Sequence, residues 1–169
     1  MGDHEAVDLP RALAELTAKA KAPGSARILQ TWIAQAQDRI GSVGPRLGWL
    51  VATTVVTAAL QRVVDNSGAA LFLLKGGTML QYRLSGMSRT TQDVDGLVRG
   101  DIDEFLAELD EALGEPWGPL TLVRGEVETI DVPHKVVKPR RFGVIVMLNG
   151  VTWRRIQIEV GSESLRPSR

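Results

Sequence analysis

The chain contains no cysteine and only two histidines among its 169 residues. The absence of cysteine excludes disulfide bonds, thiolate-bound zinc and a cysteine nucleophile. His4 and His134 have no companion at the spacing that metal ligands require, so a histidine metal site is not expected either. Any metal chemistry in this protein has to rest on carboxylates.

An excess of charge of one sign is also missing, since twenty basic residues balance twenty acidic ones. No global field therefore attracts nucleic acid, and an RNA contact must come from a local patch. The polar N-terminus shows no secretory signal. The longest weakly polar run, 48–60, contains three threonines and is too short and too mixed to span a bilayer. We expect a cytoplasmic protein with no membrane contact.

The first third of the chain has a helical pattern. Asp8 is a candidate cap for a first helix that Pro23-Gly24 ends, and Ser25 is a candidate cap for a second that ends at Gly41. A third helix, apolar nearly all round, is predicted over about 45–65. We expect residues 1–68 to form a helical region that packs on a core domain.

Strand patterns dominate the rest of the chain. An apolar run at 69–74 precedes a glycine turn, and Asp101 with Glu104 forms a capping box for a helix that Gly114 ends. Asn149-Gly150 is a strong hairpin signal. The strands are predicted at 120–123, 127–132, 142–148 and 151–160. This order predicts an α+β fold with a mixed sheet over 69–160, helices mostly on one face, and a polar tail at 161–169.

Two aspartates one residue apart, Asp93 and Asp95, follow the glycine turn at Gly76-Gly77. In a strand, side chains at positions i and i+2 share a face about 6.6 Å apart. The two carboxylates can therefore enter one pocket, where hard divalent cations prefer oxygen ligands. The glycines let backbone N–H groups approach a phosphate closely. The spacing predicts a metal-dependent phosphoryl-transfer site.

The segments Leu74-Lys75-Gly76-Gly77-Thr78 and Arg89-x-Thr91-x-Asp93-x-Asp95 together resemble the DNA polymerase β-like nucleotidyltransferases. Within these, the pattern is most similar to the AbiEii/AbiGii toxin family, which includes the MenT-type tRNA nucleotidyltransferases. The resemblance is detailed over about 70–98 and loose elsewhere.

The resemblance implies a nucleotidyltransferase-like sheet and transfer of a nucleoside monophosphate from a nucleoside triphosphate to the 3′ end of tRNA. It also implies magnesium ions, two in number, and a cognate antitoxin. Members of full length carry a further C-terminal helical half, which we expect this chain to lack because it ends ten residues after Glu159. The triphosphate-binding groups of that half would then have to come from a partner.

A third carboxylate is required because two hold a metal poorly. Glu159 alternates with Ile156, Ile158 and Val160, which are expected to face the core and leave Glu159 on the other face. By resemblance, this position carries a third metal-coordinating or hydroxyl-activating carboxylate. Asp131, in the strand predicted at 127–132, is the alternative.

Several basic residues are candidates for phosphate binding. Lys75 and Arg89 suit a triphosphate, although either can be an ordinary surface charge. Thr78 either caps the following helix or contacts a phosphate. A cluster in the loop before the predicted strand at 142–148 is a candidate RNA contact or a solvated basic loop, and comprises Lys135, Lys138, Arg140 and Arg141.

Two other functions remain compatible with the sequence. One is a nucleotidyltransferase that modifies a small molecule such as an antibiotic, for which an acidic acceptor pocket is expected. The other is a non-catalytic core that binds nucleotide or a partner chain. Metal and nucleotide titration separates the last function from the enzymes.

Overall fold

The computed structural model describes residue 14 and residues 18–40, 44–75 and 93–163. These ranges contain three helices, α1 (Ala26–Ile40), α2 (Gly44–Leu60) and α3 (Ile102–Leu113). They also contain five strands, β1 (Phe72–Leu74), β2 (Asp93–Val98), β3 (Leu120–Thr129), β4 (Arg140–Leu148) and β5 (Val151–Ser162). The predicted α+β class is confirmed.

The five strands form one mixed sheet in the order β1-β2-β5-β4-β3. Strands β2 and β5 are parallel, and the other neighbours are antiparallel. The predicted hairpin joins β4 to β5, with φ values of 49° at Asn149 and 76° at Gly150. A two-residue turn of this hand needs positive φ at both positions, which asparagine and glycine tolerate. The hairpin leaves the other edge of β5 to β2, the strand that carries Asp93 and Asp95.

One face of the sheet packs against helices. Alternate residues of β2, β4 and β5 form a single core with the apolar faces of α2 and α3. In β5 these residues are Ile156, Ile158 and Val160, as the alternation predicts. The opposite face carries the half-buried side chains of Asp93, Asp95, Arg141, Gln157 and Glu159, so this part of the second face is polar.

Two predicted helix caps are confirmed. Ser25 Oγ accepts a hydrogen bond from the Ile28 N–H at 3.2 Å, immediately before α1. Asp101 accepts one from the Glu104 N–H at 2.9 Å, and α3 ends at Gly114 as expected. Both caps satisfy backbone donors that lack a partner within the first turn of a helix.

The third predicted helix ends earlier than its apolar pattern indicates, at Leu60 instead of about residue 65. The Asp65 carboxylate accepts hydrogen bonds from the backbone N–H groups of Ser67 and Ala69, at 2.8 and 3.0 Å. These bonds stabilise a turn, and Val64 forms an isolated antiparallel bridge with Ala70. The turn therefore directs the chain toward the sheet, although the apolar helical pattern of the sequence continues to about residue 65.

Two strand boundaries differ from the prediction. The strands predicted at 120–123 and 127–132 are one strand, β3, whose pairing shifts between Arg124 and Val127. Because β3 ends at Thr129, Asp131 lies beyond it. Strand β5 continues through Gly161 and Ser162, which were expected to begin the polar tail and which pair with β2.

Other expectations concern residues outside the described ranges, namely most of the first helix, residues 76–92 and residues 164–169. Among the described helices, none is long and apolar enough to cross a membrane.

Candidate active site

Asp93 and Asp95 lie on the polar face of β2, and both are half-buried. Val94 between them is fully buried in the core, which fixes both aspartates on the opposite face. Gly96 points into the core, where a β-carbon would overlap the ring of Phe72 from β1. The glycine after the second aspartate therefore has a packing reason, because it lets Phe72 cross the strand.

Glu159 lies directly beside this pair. In the parallel pairing of β2 with β5, Asp95 is opposite Glu159 and Asp93 is opposite Gln157. Laterally paired residues in a sheet project from the same face, so the three carboxylates share one surface. On the other side, Arg141 of β4 is opposite Glu159, and their side chains form an ion pair at 3.4 Å.

The environment of Asp95 disfavours its charged form. Burial is the largest cause that raises its pKa above the usual value, and repulsion from Glu159 is the next. Asp93 adds a smaller repulsion, while Lys75 and Arg141 act in the opposite direction. The two nearby cations do not balance the carboxylates, so the cluster favours an added positive charge.

The donor set suits a divalent cation only in part. Asp93 and Asp95 supply the carboxylate oxygens that magnesium prefers. Among the described residues, however, no three histidine, aspartate or glutamate side chains are grouped closely enough to hold a metal. Glu159 is turned to Arg141, so the described arrangement offers a pair of carboxylates beside a third that is engaged elsewhere.

Lys75 marks the approach to the glycine turn. Its backbone N–H donates to the Asp95 carbonyl at 3.0 Å, directly after the end of β1. Lys75, the residue before the predicted glycine turn, therefore lies next to Asp95. The Lys75 side chain is exposed, and its charge lowers the pKa of Asp95. The remaining predicted phosphate contacts, Gly76, Gly77, Thr78 and Arg89, lie outside the described residues.

The four basic residues that are either a candidate RNA contact or a solvated loop make separate contacts. Lys138 Nζ donates to the Val132 carbonyl at 2.8 Å and pairs with Asp131 at 3.0 Å. Arg140 pairs with Asp103 of α3 at 3.6 Å, and Lys135 is exposed in the loop.

Of these basic residues, the structure brings Arg141 to the carboxylates. Asp131, the alternative third carboxylate, is 91% exposed and bonded within the loop. The strand position assumed for Asp131 is therefore wrong.

Sequence reasoning missed two further residues on the polar face, Arg155 and Gln157. Both alternate with Glu159 along β5, and Gln157 lies opposite Asp93. The period of two that singled out Glu159 could have identified them. Their relation to β3 and β4 depends on cross-strand register, which has no local signal.

Comparison with known proteins identifies the family of the chain. A search of curated proteins gives no match to the chain. A family model described as nucleotidyl transferase AbiEii toxin, type IV toxin–antitoxin system, matches residues 58–168, which include all five strands and the three carboxylates. The chain therefore belongs to the AbiEii family of nucleotidyltransferase toxins.

Proposed function

We propose that this protein is a metal-dependent toxin that transfers a nucleoside monophosphate from a nucleoside triphosphate to the 3′ end of tRNA. The observation that carries the proposal is the pairing of Asp95 with Glu159 on neighbouring parallel strands, with Asp93 on the same face. Membership of the AbiEii family supplies the reaction class. The tRNA acceptor comes from the resemblance to the MenT-type enzymes.

Asp93 and Asp95 are the residues that would hold the cation. The chemistry a bound divalent cation supplies is stabilisation of charge on the attacking and leaving oxygens. Raising the pKa of Asp95 through burial and repulsion supports this assignment, because a cation relieves both effects. Glu159 completes the site as a third ligand or as the base.

In the transfer step, the acceptor hydroxyl oxygen forms a bond to the α-phosphorus and the bond to the β-phosphate oxygen breaks. Pyrophosphate leaves, and the hydroxyl proton goes to the Glu159 carboxylate. Lys75, together with Gly76, Gly77, Thr78 and Arg89, is proposed to bind the triphosphate, because Lys75 adjoins Asp95 and leads into the glycine turn. Arg141 holds Glu159 until the substrates bind.

The decisive experiment is a transfer assay. Purified protein is incubated with each labelled nucleoside triphosphate in turn, magnesium chloride and total tRNA, with and without EDTA. We expect one or more triphosphates to label tRNA at its 3′ end, and EDTA to abolish the labelling. Absence of labelling with all four triphosphates would contradict the proposal.

Two variants define the site in this assay. Asp95→Asn is expected to reduce transfer at least about 100-fold, because several kcal/mol of transition-state stabilisation depend on the carboxylate. Asp110→Asn is the matched control, since Asp110 pairs with Arg124 on the helix side of the sheet. It removes the same charge from the protein without touching the polar face. Equal loss in both variants would show that the assay reports folding or net charge.

Other acceptors and a non-catalytic role are outcomes of the same assay. Transfer to small hydroxyl compounds but not to tRNA would indicate a small-molecule enzyme. Binding of magnesium and nucleotide without transfer would indicate a nucleotide-binding core, a role that the Arg141–Glu159 ion pair favours because it occupies the third carboxylate. A cognate antitoxin is the partner proposed from the family.

A further inference from the structure

The side chain of Arg155 in β5 lies across the polar face of the sheet, over Gly143 of β4 and next to Gly125 of β3. A β-carbon built at Gly143 of β4 would lie 2.6 Å from Arg155 Nε and 3.1 Å from its Cζ. A β-carbon at Gly125 of β3 would lie 3.9 Å from Arg155 Nη2. The guanidinium therefore passes over β4 toward β3, and any side chain at Gly143 would displace it.

Gly143 has no conformational reason to be glycine. It does not have a positive φ and lies within a paired strand, where glycine weakens the sheet. In a strand, glycine often marks the close approach of another group, and here that group is the Arg155 side chain. The absence of a side chain at Gly143 thus leaves room for the Arg155 side chain close to the strand backbone, while Gly125 makes only an ordinary contact with its end.

The charge held in this way has no protein partner within the described part of the chain. Arg155 takes part in none of the hydrogen bonds, ion pairs or ring contacts of these residues. Its neighbour Arg154, on the other face, donates to Gln30 of α1 and lies over the ring of Trp153. Of two adjacent arginines, one is therefore used by the fold and the other is presented on the face that carries the carboxylates.

A flat guanidinium with available N–H donors matches phosphate, which it can bind through two parallel hydrogen bonds. Strands β4 and β3 lie two and three strand spacings from β2, or about 10–14 Å. This places the guanidinium beside the carboxylate pair and not on it. A phosphate bound there belongs to a molecule that extends away from the reacting atoms.

We infer that Arg155, whose side chain lies over Gly143, binds a backbone phosphate of the acceptor RNA close to its 3′ end. This inference rests on the proposed function and deepens it, because it gives the acceptor a docking residue separate from the triphosphate. Arg155 acts in binding and not in the chemical step.

The test measures RNA binding directly, without nucleotide, so that it does not depend on transfer. Labelled total tRNA is titrated with wild-type protein, Arg155→Gln and Arg154→Gln, after circular dichroism and thermal melting have confirmed folding. We expect Arg155→Gln to weaken binding about 10- to 100-fold, the effect of losing a charge-assisted hydrogen bond. The slope of log affinity against log salt should fall in magnitude by about one for the same variant. Arg154→Gln, with the same loss of charge, should match wild type in both.

A second variant tests whether the position of the Arg155 guanidinium matters, without removing its charge. Gly143→Ala should displace the guanidinium and weaken tRNA binding in the same direction, while Gly161→Ala, a strand glycine with only ordinary contacts, should not. Equal tRNA affinity for wild type and Arg155→Gln, or no tRNA binding by wild type, overturns the inference. A loss confined to nucleoside triphosphate affinity would also overturn it, by assigning Arg155 to the triphosphate. Failure of transfer in a protein that binds tRNA through Arg155 would count against the proposed function alone.

Discussion

At the scale of single residues, Asp95 is in an environment that opposes its own charge. Burial and the neighbouring Glu159 both raise its pKa. A group with this property destabilises the folded state at neutral pH, because folding has to accommodate the charged form at a cost that the unfolded chain avoids. The site therefore lowers the free energy of unfolding at neutral pH, and it favours the binding of a cation.

Asp95→Asn should consequently raise the melting temperature at neutral pH while it reduces transfer. A raised folded-state pKa contributes stability below the unfolded pKa, about 3.9, and that contribution is lost as pH rises through the folded-state pKa. The stability gain of the variant should therefore disappear at about pH 3.5. Thermal melts at the two pH values measure this. A lower melting temperature for the variant at neutral pH would refute the account of Asp95.

The effect of magnesium on the melting temperature is an independent test of the role of Asp95. The ion should raise the melting temperature of wild type, because a ligand that binds the folded state stabilises it. It should have little effect on Asp95→Asn, and the Asp110→Asn control should respond as wild type does. An equal response in all three proteins would place magnesium elsewhere.

Gly96 makes the carboxylate strand compatible with the core. Gly96→Ala should destabilise the fold by about 1–3 kcal/mol, because the added methyl overlaps the Phe72 ring and approaches the Leu73 carbonyl. Gly161→Ala is the control, since its β-carbon would make only an ordinary contact of 3.6 Å with Leu97. Urea denaturation compares the two free energies of unfolding. A similar cost at both positions would show that Phe72 can move aside.

At the scale of elements, the β4–β5 hairpin and a bulge at Trp153 together set the register that places Glu159 opposite Arg141. Met147 pairs with Thr152 and Val146 with Arg154, so the pairing skips Trp153. The parallel pairing of β5 with β2 places Glu159 next to Asp95. The register depends on a turn with two positive φ angles. A slip by one residue would turn Glu159 into the core. The turn and the bulge therefore both affect the site, although they lie at the far end of β5 from Glu159.

Gly150→Val should destabilise the protein by about 1–2 kcal/mol, because a β-branched residue resists positive φ. Gly150→Asn should cost less, since asparagine tolerates this conformation. No atom lies within 4 Å of a β-carbon built at Gly150, so the difference between the variants reports backbone conformation and not crowding. Chemical denaturation of both variants tests this, and equal losses would count against the turn as the cause.

At the scale of the whole molecule, α1 lies before the residues that match the family but contacts the sheet directly. Gln30 accepts hydrogen bonds from Trp153 Nε1 at 3.2 Å and from Arg154 at 3.4 Å. Ile33 of α1 is buried against Leu47 of α2. These contacts predict that α1 and the sheet unfold as one cooperative unit.

Ile33→Ala should lower the free energy of unfolding by about 2–5 kcal/mol in a single transition. Ile28→Ala on the same helix should change it much less, because Ile28 is 42% exposed and Ile33 only 7%. Fluorescence of the tryptophans and far-ultraviolet circular dichroism follow the unfolding in urea. Two separated transitions, or equal effects of the two substitutions, would show that α1 is not part of the core unit.

Local chemistry made much of this protein predictable. The caps at Ser25 and Asp101, the Asn149-Gly150 hairpin and the shared face of Asp93 and Asp95 all depend on residues a few positions apart. The prediction of two strands in place of β3 is wrong because polar residues around Gly125 interrupt the alternation of apolar and polar residues. Backbone hydrogen bonds from β4 carry the strand across that interruption as a bulge.

The sequence by itself thus predicted most of the described elements, the hairpin and the shared face of the two aspartates, because period and turn chemistry act over short stretches of chain. The tertiary structure alone decided which charges meet. Glu159 reaches Asp95 through parallel pairing of strands far apart in sequence, Arg141 is aligned with Glu159, and Arg155 is placed over Gly143 and Gly125. Such contacts depend on cross-strand register, which is settled only when the whole sheet packs its apolar face against the helices.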